Sequence, residues 1–451
     1  MKNITVQDIV QATGGRLLCG SPDLLIRNIS IDSRTMKGDD IFVPIIGAKV
    51  DAHRFIGGAF QAGAAATFTS EHDEMEDTHP WIRVEDTVKA LQDLGAFCRN
   101  RLTMPIIGVT GSVGKTSTRE MVACALSAEK KVYSTTGNSN GQLGVPITLS
   151  EADPDADVIV LEMGMSEPGE MSRISAVARV SMGVVTNIGV SHIENLGSRE
   201  NIRKEKMHMA DYLSPDQVMV LNGEDDQLEV YRKGAPFRVV YYGLSENNDY
   251  WAENIRVTDG RTYFTVHAGE ETFEMQLPQL GQHHVMNALA ALAVAAENEV
   301  SPVKAAKALE SWHGFARRLE ISEKNGCTII DDSYNASPDS MRAALQVLSV
   351  TETAGRRIAV LADMLELGPD SPKYHSEVGA YAASCGTDRI FTIGTLARYL
   401  AEAAKAQGVE VSCYDSNAEA LEDILAFRKP GDTILLKGSN SMKLSEIVKE
   451  L

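Results

Sequence analysis

From about residue 104 onward, short and wholly apolar runs alternate with amphipathic stretches. The first set of runs is Ile106 to Thr110, Val158 to Met163, Met182 to Ile188 and Val218 to Asn222. A strand that is apolar on both faces must be covered on both, and helices that carry the chain back to the same edge do this. The pattern therefore predicts a largely parallel sheet. The rhythm resumes with Thr328 to Asp331, Arg357 to Ala362, Arg389 to Ile393 and Thr433 to Lys437. Helices are expected between these runs over Ser340 to Leu348, Ala397 to Ala406 and Ala418 to Phe427. This second set reads as a separate Rossmann-like domain, and because G-x-G-x-x-G is absent, dinucleotide binding there is unsupported.

Residues 237 to 278 alternate differently (RVVYYG, YWAENIRVTDG, TYFTVHAG, ETFEMQL) and predict β-hairpins added to the first sheet. An Ala-rich helix, His284 to Asn298, follows. The first 80 or so residues hold shorter runs (Leu25 to Ile31, Ile41 to Ile45, Ala65 to Thr69) and one helical stretch, Phe55 to Ala62, which suits a small α/β domain. A length of 451 residues suggests about three domains. The expected boundaries are 1–82, 83–314 and 315–451, all of α/β class.

The net charge of −19 argues against a general nucleic-acid binder or an anionic-membrane binder. Six scattered cysteines, with no C-x-x-C pair, argue against a zinc site and for a reducing compartment. The first residues, MKNITVQDIVQATGG, show no apolar signal region, and no run is long enough to span a bilayer. A cytoplasmic protein without membrane insertion is expected.

The run Ile106 to Thr110 leads into Gly111-Ser112-Val113-Gly114-Lys115-Thr116-Ser117, and a helix is expected over Lys115 to Ala128. A strand, a glycine-containing turn and a helix N-terminus form the context of a phosphate cradle, in which backbone N–H groups point at phosphate oxygens. Lys115 can reach the β/γ phosphates, and the Thr116 hydroxyl can reach Mg²⁺. The strict pattern G-x-x-x-x-G-K-[ST] fails, because Val109 stands where the first glycine should be. Glu162 closes a later strand, where a carboxylate can hold a metal; taken alone it is as often an ordinary surface acid. His192 and Lys206 alone would read as loop polarity and a solvated helix face.

Together these segments resemble one family. "GVTGSVGKTSTRE", "TTGNSNGQLGVPITL", "VLEMGMSEPGEM", "TNIGVSHIENLGSRENIRKEK", "GQHHVMNALAA", "RRLE" and "DDSYNASPDSMRAAL" occur in this order and are similar to the Mur ligase superfamily, ATP-dependent amide-forming enzymes of peptidoglycan precursor synthesis. That family's loop is T-G-x-x-G-K-[ST], so Val109 is expected. "DDSYNASPDSM", "LADMLELG" and "KGSNSMKL" resemble the branch that adds D-alanyl-D-alanine to UDP-MurNAc-tripeptide through an acyl phosphate. The branch adding lysine or diaminopimelate, folylpolyglutamate synthetases and a nucleotide-driven switch stand as alternatives. The first two are disfavoured by "DDSYNASPDSM", and the switch by the lack of N-K-x-D and of a nearby Walker B acid pair.

The resemblance implies ATP and two Mg²⁺ ions, with Thr116 on one metal and Glu162 and His192 on the other, and with Lys206 carbamylated. His208 stands where the family often has an acid two residues after that lysine. It further implies catalytic roles for Lys115, Lys206, His192 and Asn138, with Asn138 and Asn140 near the γ-phosphate and the reacting acyl group. His283 and Asn287 would lie beside adenine, Arg317 at the phosphates and Asp332 at the ribose, with Tyr334 and Asn335 toward the dipeptide. Ser30, Asp32, Ser33 and Arg34 would meet the uridine-diphosphate end. Small-molecule substrates and a monomer complete the expectation.

Overall fold

The computed structural model describes residue 1 and residues 3–451. The nine-stranded central sheet is built around Ile106–Thr110, flanked in parallel by Met182–Val185 on one side and Val158–Glu162 on the other. Val132–Ser134 forms one edge, while Val218–Asn222 and Arg238–Gly243 extend the parallel run on the other side. Antiparallel pairing begins only at Tyr250–Thr258, which joins Arg261–Ala268 and Glu271–Leu277. The hairpins expected from residue 237 therefore start later. RVVYYG is a parallel strand buried from Val240 to Gly243, because both of its faces are covered. Its aromatic alternation does not correspond to an exposed face.

Helices cover both faces of this sheet. Lys115–Leu126 and Gln282–Glu297 bury Met121, Val122, Leu289 and Leu292 against Ile107 and Val109. Met171 and Ile174 of Glu170–Ala178 close the other face over Ile159 and Leu161. From the central strand the chain runs to the Val132 edge, returns to Val158 and crosses to Met182 on the far side. The loops after three adjacent parallel strands thus diverge around one crevice, the place where open α/β sheets bind ligands. The strand at Met182 ends at Val185 instead of Ile188, since Thr186 and Asn187 leave the ladder to hold the phosphate loop.

The N-terminal sheet runs Arg16–Cys19, Trp81–Arg83, Ala64–Thr69, Asp40–Phe42, Asn28–Ser30. Its core takes in Ala90, Leu91, Leu94 and Cys98 of helix Thr87–Arg99, past the boundary expected at 82, and also Leu143 and Ile147 from the central part of the chain. Contact there is tight, for a β-carbon on Gly95 would lie 2.6 Å from Pro146 Cβ. The C-terminal six-stranded sheet, parallel except for its Glu320–Lys324 edge, ends its strands at Asp332, Ala362 and Lys437 on the side facing the crevice.

Candidate active site

The loop from Gly111 to Gly114 is shaped by its neighbours. Ser112 N–H donates to Asn187 O at 3.0 Å and Val113 N–H to Asn187 Oδ1 at 2.9 Å, while Thr186 Oγ1 donates to Val113 O at 2.5 Å. Gly111 sits at φ 152°, and a β-carbon there would lie 1.8 Å from Thr186 Oγ1, so only glycine fits. Gly114 at φ 83° opens helix Lys115–Leu126, whose first N–H groups carry the positive end of the helix dipole toward the crevice.

The crevice is a cavity of about 480 Å³ between the central and C-terminal units. Ser112, Val113, Gly114, Lys115, Thr116 and Ser117 line it, together with Asn140, Glu162, His192, His283 and Asn287. Arg318, Asp332, Tyr334, Asn335 and Lys437 line it from the C-terminal side. Glu162 is 1% exposed; its Oε1 accepts from Asn140 Nδ2 at 2.8 Å, and its Oε2 accepts no hydrogen bond. Thr116 Oγ1 is likewise buried and unpartnered. An orphaned buried polar atom costs about 1–3 kcal/mol, and two oxygens orphaned beside a phosphate loop suit a hard cation with oxygen ligands.

Two lysines share one acceptor. Lys115 Nζ and Lys206 Nζ donate to Gly111 O at 2.9 and 3.0 Å. Burial, joined by repulsion from Lys115, pushes the Lys206 ammonium well below its ordinary range. Burial also pushes Lys115 down, opposed by the Glu162 charge and joined by repulsion from Arg318. A neutral, buried Lys206 amine is the form that can take up CO₂ as a carbamate. His192 lies at φ 62°, with Nδ1 2.6 Å from Glu366 Oε2. Burial lowers its imidazolium against the pull of Glu366.

Helix Gln282–Glu297 enters the site with His283 and Asn287. Both His283 nitrogens are buried without partners although the ring edge is partly accessible, and burial reinforced by Lys437 brings its pKa down to about 4. Asp332 Oδ2 accepts from Lys437 Nζ at 2.5 Å; burial pushes the carboxyl up against that pull.

Some of the expected residues stand outside the cavity lining. Arg317 turns away, its Nη2 donating to Ser333 O at 3.0 Å, and Arg318 lines the cavity instead, stacked 4.2 Å above the Tyr334 ring centroid. The two arginines are adjacent in "RRLE", in a segment where Arg317 and Leu319 both adopt the left-handed region (φ 60° and 53°). Asn138 is exposed and lies outside the cavity lining, while Asn140, two residues on, reaches Glu162. The His208 side chain pairs with Asp211 at the surface. Ser30, Asp32, Ser33 and Arg34 form a turn on the N-terminal unit, away from the cavity. There Arg34 clasps Asp32 through two hydrogen bonds and holds its carboxyl down to about 2.

Two neighbours of the site had no role assigned from the sequence, although both lie in segments that resemble the family. Arg119, 1% exposed on the phosphate-loop helix, lies with Nε 3.8 Å from Glu162 Oε2 and donates Nη1 to Thr135 O. Lys437 was visible only as a strand-terminal residue within "KGSNSMKL".

Three family models match the chain: Mur ligase family, catalytic domain, over residues 25–98; Mur ligase middle domain over 109–295; and Mur ligase, glutamate ligase domain over 317–440. A UDP-N-acetylmuramoyl-tripeptide–D-alanyl-D-alanine ligase from Bacillus subtilis is 37% identical, with 99% of this chain and 98% of the relative aligned. A crystal structure of MurF from Acinetobacter baumannii superposes with a TM-score of 0.90 at 30% identity, covering 99% of this chain and 98% of that one. MurF from Thermotoga maritima in complex with ADP gives 0.83 at 26% identity, covering 95% and 98%.

Proposed function

The chain belongs to the Mur ligase family, and we infer from its full-length likeness to the D-alanyl-D-alanine-adding branch what it does with this crevice. It joins D-alanyl-D-alanine to UDP-MurNAc-tripeptide in an ATP-dependent reaction that supplies peptidoglycan precursors. The observation that carries the reading is the 37% identity sustained over 99% of the chain.

Joining a carboxylate to an amine in water requires an activated acyl group. ATP transfers its γ-phosphoryl to the terminal carboxylate of the tripeptide, and the dipeptide amine displaces phosphate from the resulting acyl phosphate. In such a transfer the protein supplies position and charge neutralisation. Lys115 and the Gly111–Ser117 backbone hold the phosphates, and Arg318 approaches them from the C-terminal unit. Asn140 stands beside Glu162, where the acyl group is to be held. His283 and Asn287 face the base, Asp332 the ribose, and Tyr334 and Asn335 the dipeptide. The uridine-diphosphate end meets the Ser30–Arg34 turn. Two Mg²⁺ ions, when bound, would neutralise phosphate charge, one held by Thr116 and the other by Glu162, His192 and a carbamylated Lys206. The orphaned oxygens of Thr116 and Glu162, and the burial that pushes the Lys206 ammonium well below its ordinary range, support this donor set. A crevice closed from two units keeps water from the acyl phosphate. We place the enzyme in the cytoplasm as a monomer, divided near residues 100 and 314.

Amide formation from UDP-MurNAc-tripeptide, D-alanyl-D-alanine and ATP tests the reading, with lysine- and diaminopimelate-containing tripeptides compared. Phosphate release that is indifferent to the two acceptor substrates would refute it. A Lys206→Ala enzyme should lose activity and regain part of it with added short-chain carboxylates; no recovery would count against the carbamate.

A further inference from the structure

Two residues other than glycine sit in the left-handed region on opposite sides of the crevice, and their side chains meet. His192 of the central unit has φ 62° and Glu366 of the C-terminal unit has φ 63°. A side chain in this region carries a backbone strain that glycine avoids, so a pair of them in contact points to work done by the side chains. His192 Nδ1 stands 2.6 Å from Glu366 Oε2.

Both partners are held in place by their own units. Met364 N–H donates to His375 Nε2 at 2.9 Å, Leu365 N–H donates to Ser439 Oγ at 3.0 Å, and Met364 and Leu367 are buried. His375 is itself fully buried, with Nδ1–H donating to Ser371 O at 2.7 Å. On the facing side, Ser191 Oγ donates to Ser112 O at 3.4 Å and Gly189 N–H to Ser112 Oγ at 2.9 Å, tying the His192 loop to the phosphate loop. Val190 packs into the C-terminal core, and a β-carbon on Gly189 would lie 2.4 Å from Asp339 Oδ2. Residues 189–194 are thus one seam where the two units touch. The Glu366 side chain remains 56% exposed, so it is not filling a core. As it stands the contact lacks hydrogen-bond geometry and Nδ1 is buried without a partner, while Nε2 is hydrogen-bonded by no described residue.

We propose that Glu366 is a positioning residue. When the C-terminal unit closes, its carboxylate accepts the Nδ1–H of His192 and so presents Nε2, as a lone pair of fixed direction, to the cation site of Glu162 and Lys206. This deepens the metal reading of His192 and rests on it. Metal-ligating histidines commonly donate their other N–H to a carboxylate, and loss of that partner weakens metal binding about 10–100-fold. Here the carboxylate comes from the opposite unit, so the tight form of the cation site exists only in the closed enzyme, and metal affinity and closure favour each other.

The test is Mn²⁺ titration of the full-length protein, read by electron paramagnetic resonance in the presence of a non-hydrolysable ATP analogue. Glu366→Ala, Glu366→Gln, His192→Ala and the double variant are compared with the parent. Glu366→Ala is expected to weaken one class of Mn²⁺ site roughly tenfold or more, with affinity for the analogue held within about twofold. Glu366→Gln, still an acceptor for Nδ1–H, should recover part of the loss. On the His192→Ala background, Glu366→Ala should add nothing. The proposal is overturned if His192→Ala weakens Mn²⁺ binding while Glu366→Ala leaves it unchanged or tightens it, or if Glu366→Ala costs as much with His192 absent. If His192→Ala itself leaves Mn²⁺ binding unaltered, the metal reading of His192 fails and the proposal falls with it.

Discussion

Two arginines adjacent in sequence take different places beside the crevice. Arg317 is held against Ser333, whereas Arg318 faces the cavity, stacked on Tyr334 and close enough to Glu162 to feel its charge. Arg318→Ala is therefore expected to lower kcat/KM for ATP roughly a hundredfold, the scale of losing one charged donor at a reacting centre, with Arg317→Ala much milder; steady-state kinetics on both variants checks this. His283 offers a pH test. Its folded pKa of about 4 lies below the unfolded value of about 6.5, so the unfolded chain binds the extra proton between these values. Stability contributed by the neutral ring is full above pH 6.5 and declines as pH falls toward 4. A His283→Phe protein should lose less thermal stability than the parent between pH 7 and pH 5, as thermal melts would show. Motif residues at the phosphate loop were legible because glycine, lysine and threonine are required there by chemistry. Arg119 and Glu366 were not, since a buried arginine and a loop glutamate take on meaning only from what stands beside them.

Among the elements, the strands that read most clearly were those buried on both faces. Ile106–Thr110, Val218–Asn222, Arg357–Ala362 and Thr433–Lys437 match their apolar runs residue for residue. Expectation failed where an alternating run was covered on both faces, as in Arg238–Gly243, or where strand residues were diverted to hold a loop, as at Thr186 and Asn187. Helix Val6–Thr13 escaped notice although Thr5 and Asp8 form a capping box at its start. The meeting of helices Thr87–Arg99 and Gly144–Glu151 depends on Gly95, where a β-carbon would fall 2.6 Å from one Pro146 atom and 2.7 Å from another. Gly95→Ala should destabilise the protein by about 1–3 kcal/mol, the usual cost of overpacking, despite the better helix propensity of alanine. Denaturant midpoints would reveal a stabilisation if the helices can simply part.

At the scale of the whole molecule, the three units are joined unequally. The N-terminal and central units share a core through Leu143 and Ile147, whereas the C-terminal unit meets the rest mainly along the crevice and at residues 189–194. Two calorimetric transitions are expected, one for the N-terminal and central units together and one for residues beyond about 317. An ATP analogue should draw them together, because its binding site spans both parts. A single ligand-independent transition would show that the crevice contacts alone unite the chain.

The shared core also bears on synthesis. Domains emerge from the ribosome in order, and each can fold once its own chain is free. The N-terminal core, however, is completed by Leu143 and Ile147, which lie beyond the phosphate loop. Its apolar side at Ala90, Leu94 and Phe97 must wait for roughly fifty further residues to clear the exit tunnel. Nascent chains stalled before residue 143 should thus recruit chaperones, and those stalled well past it should not.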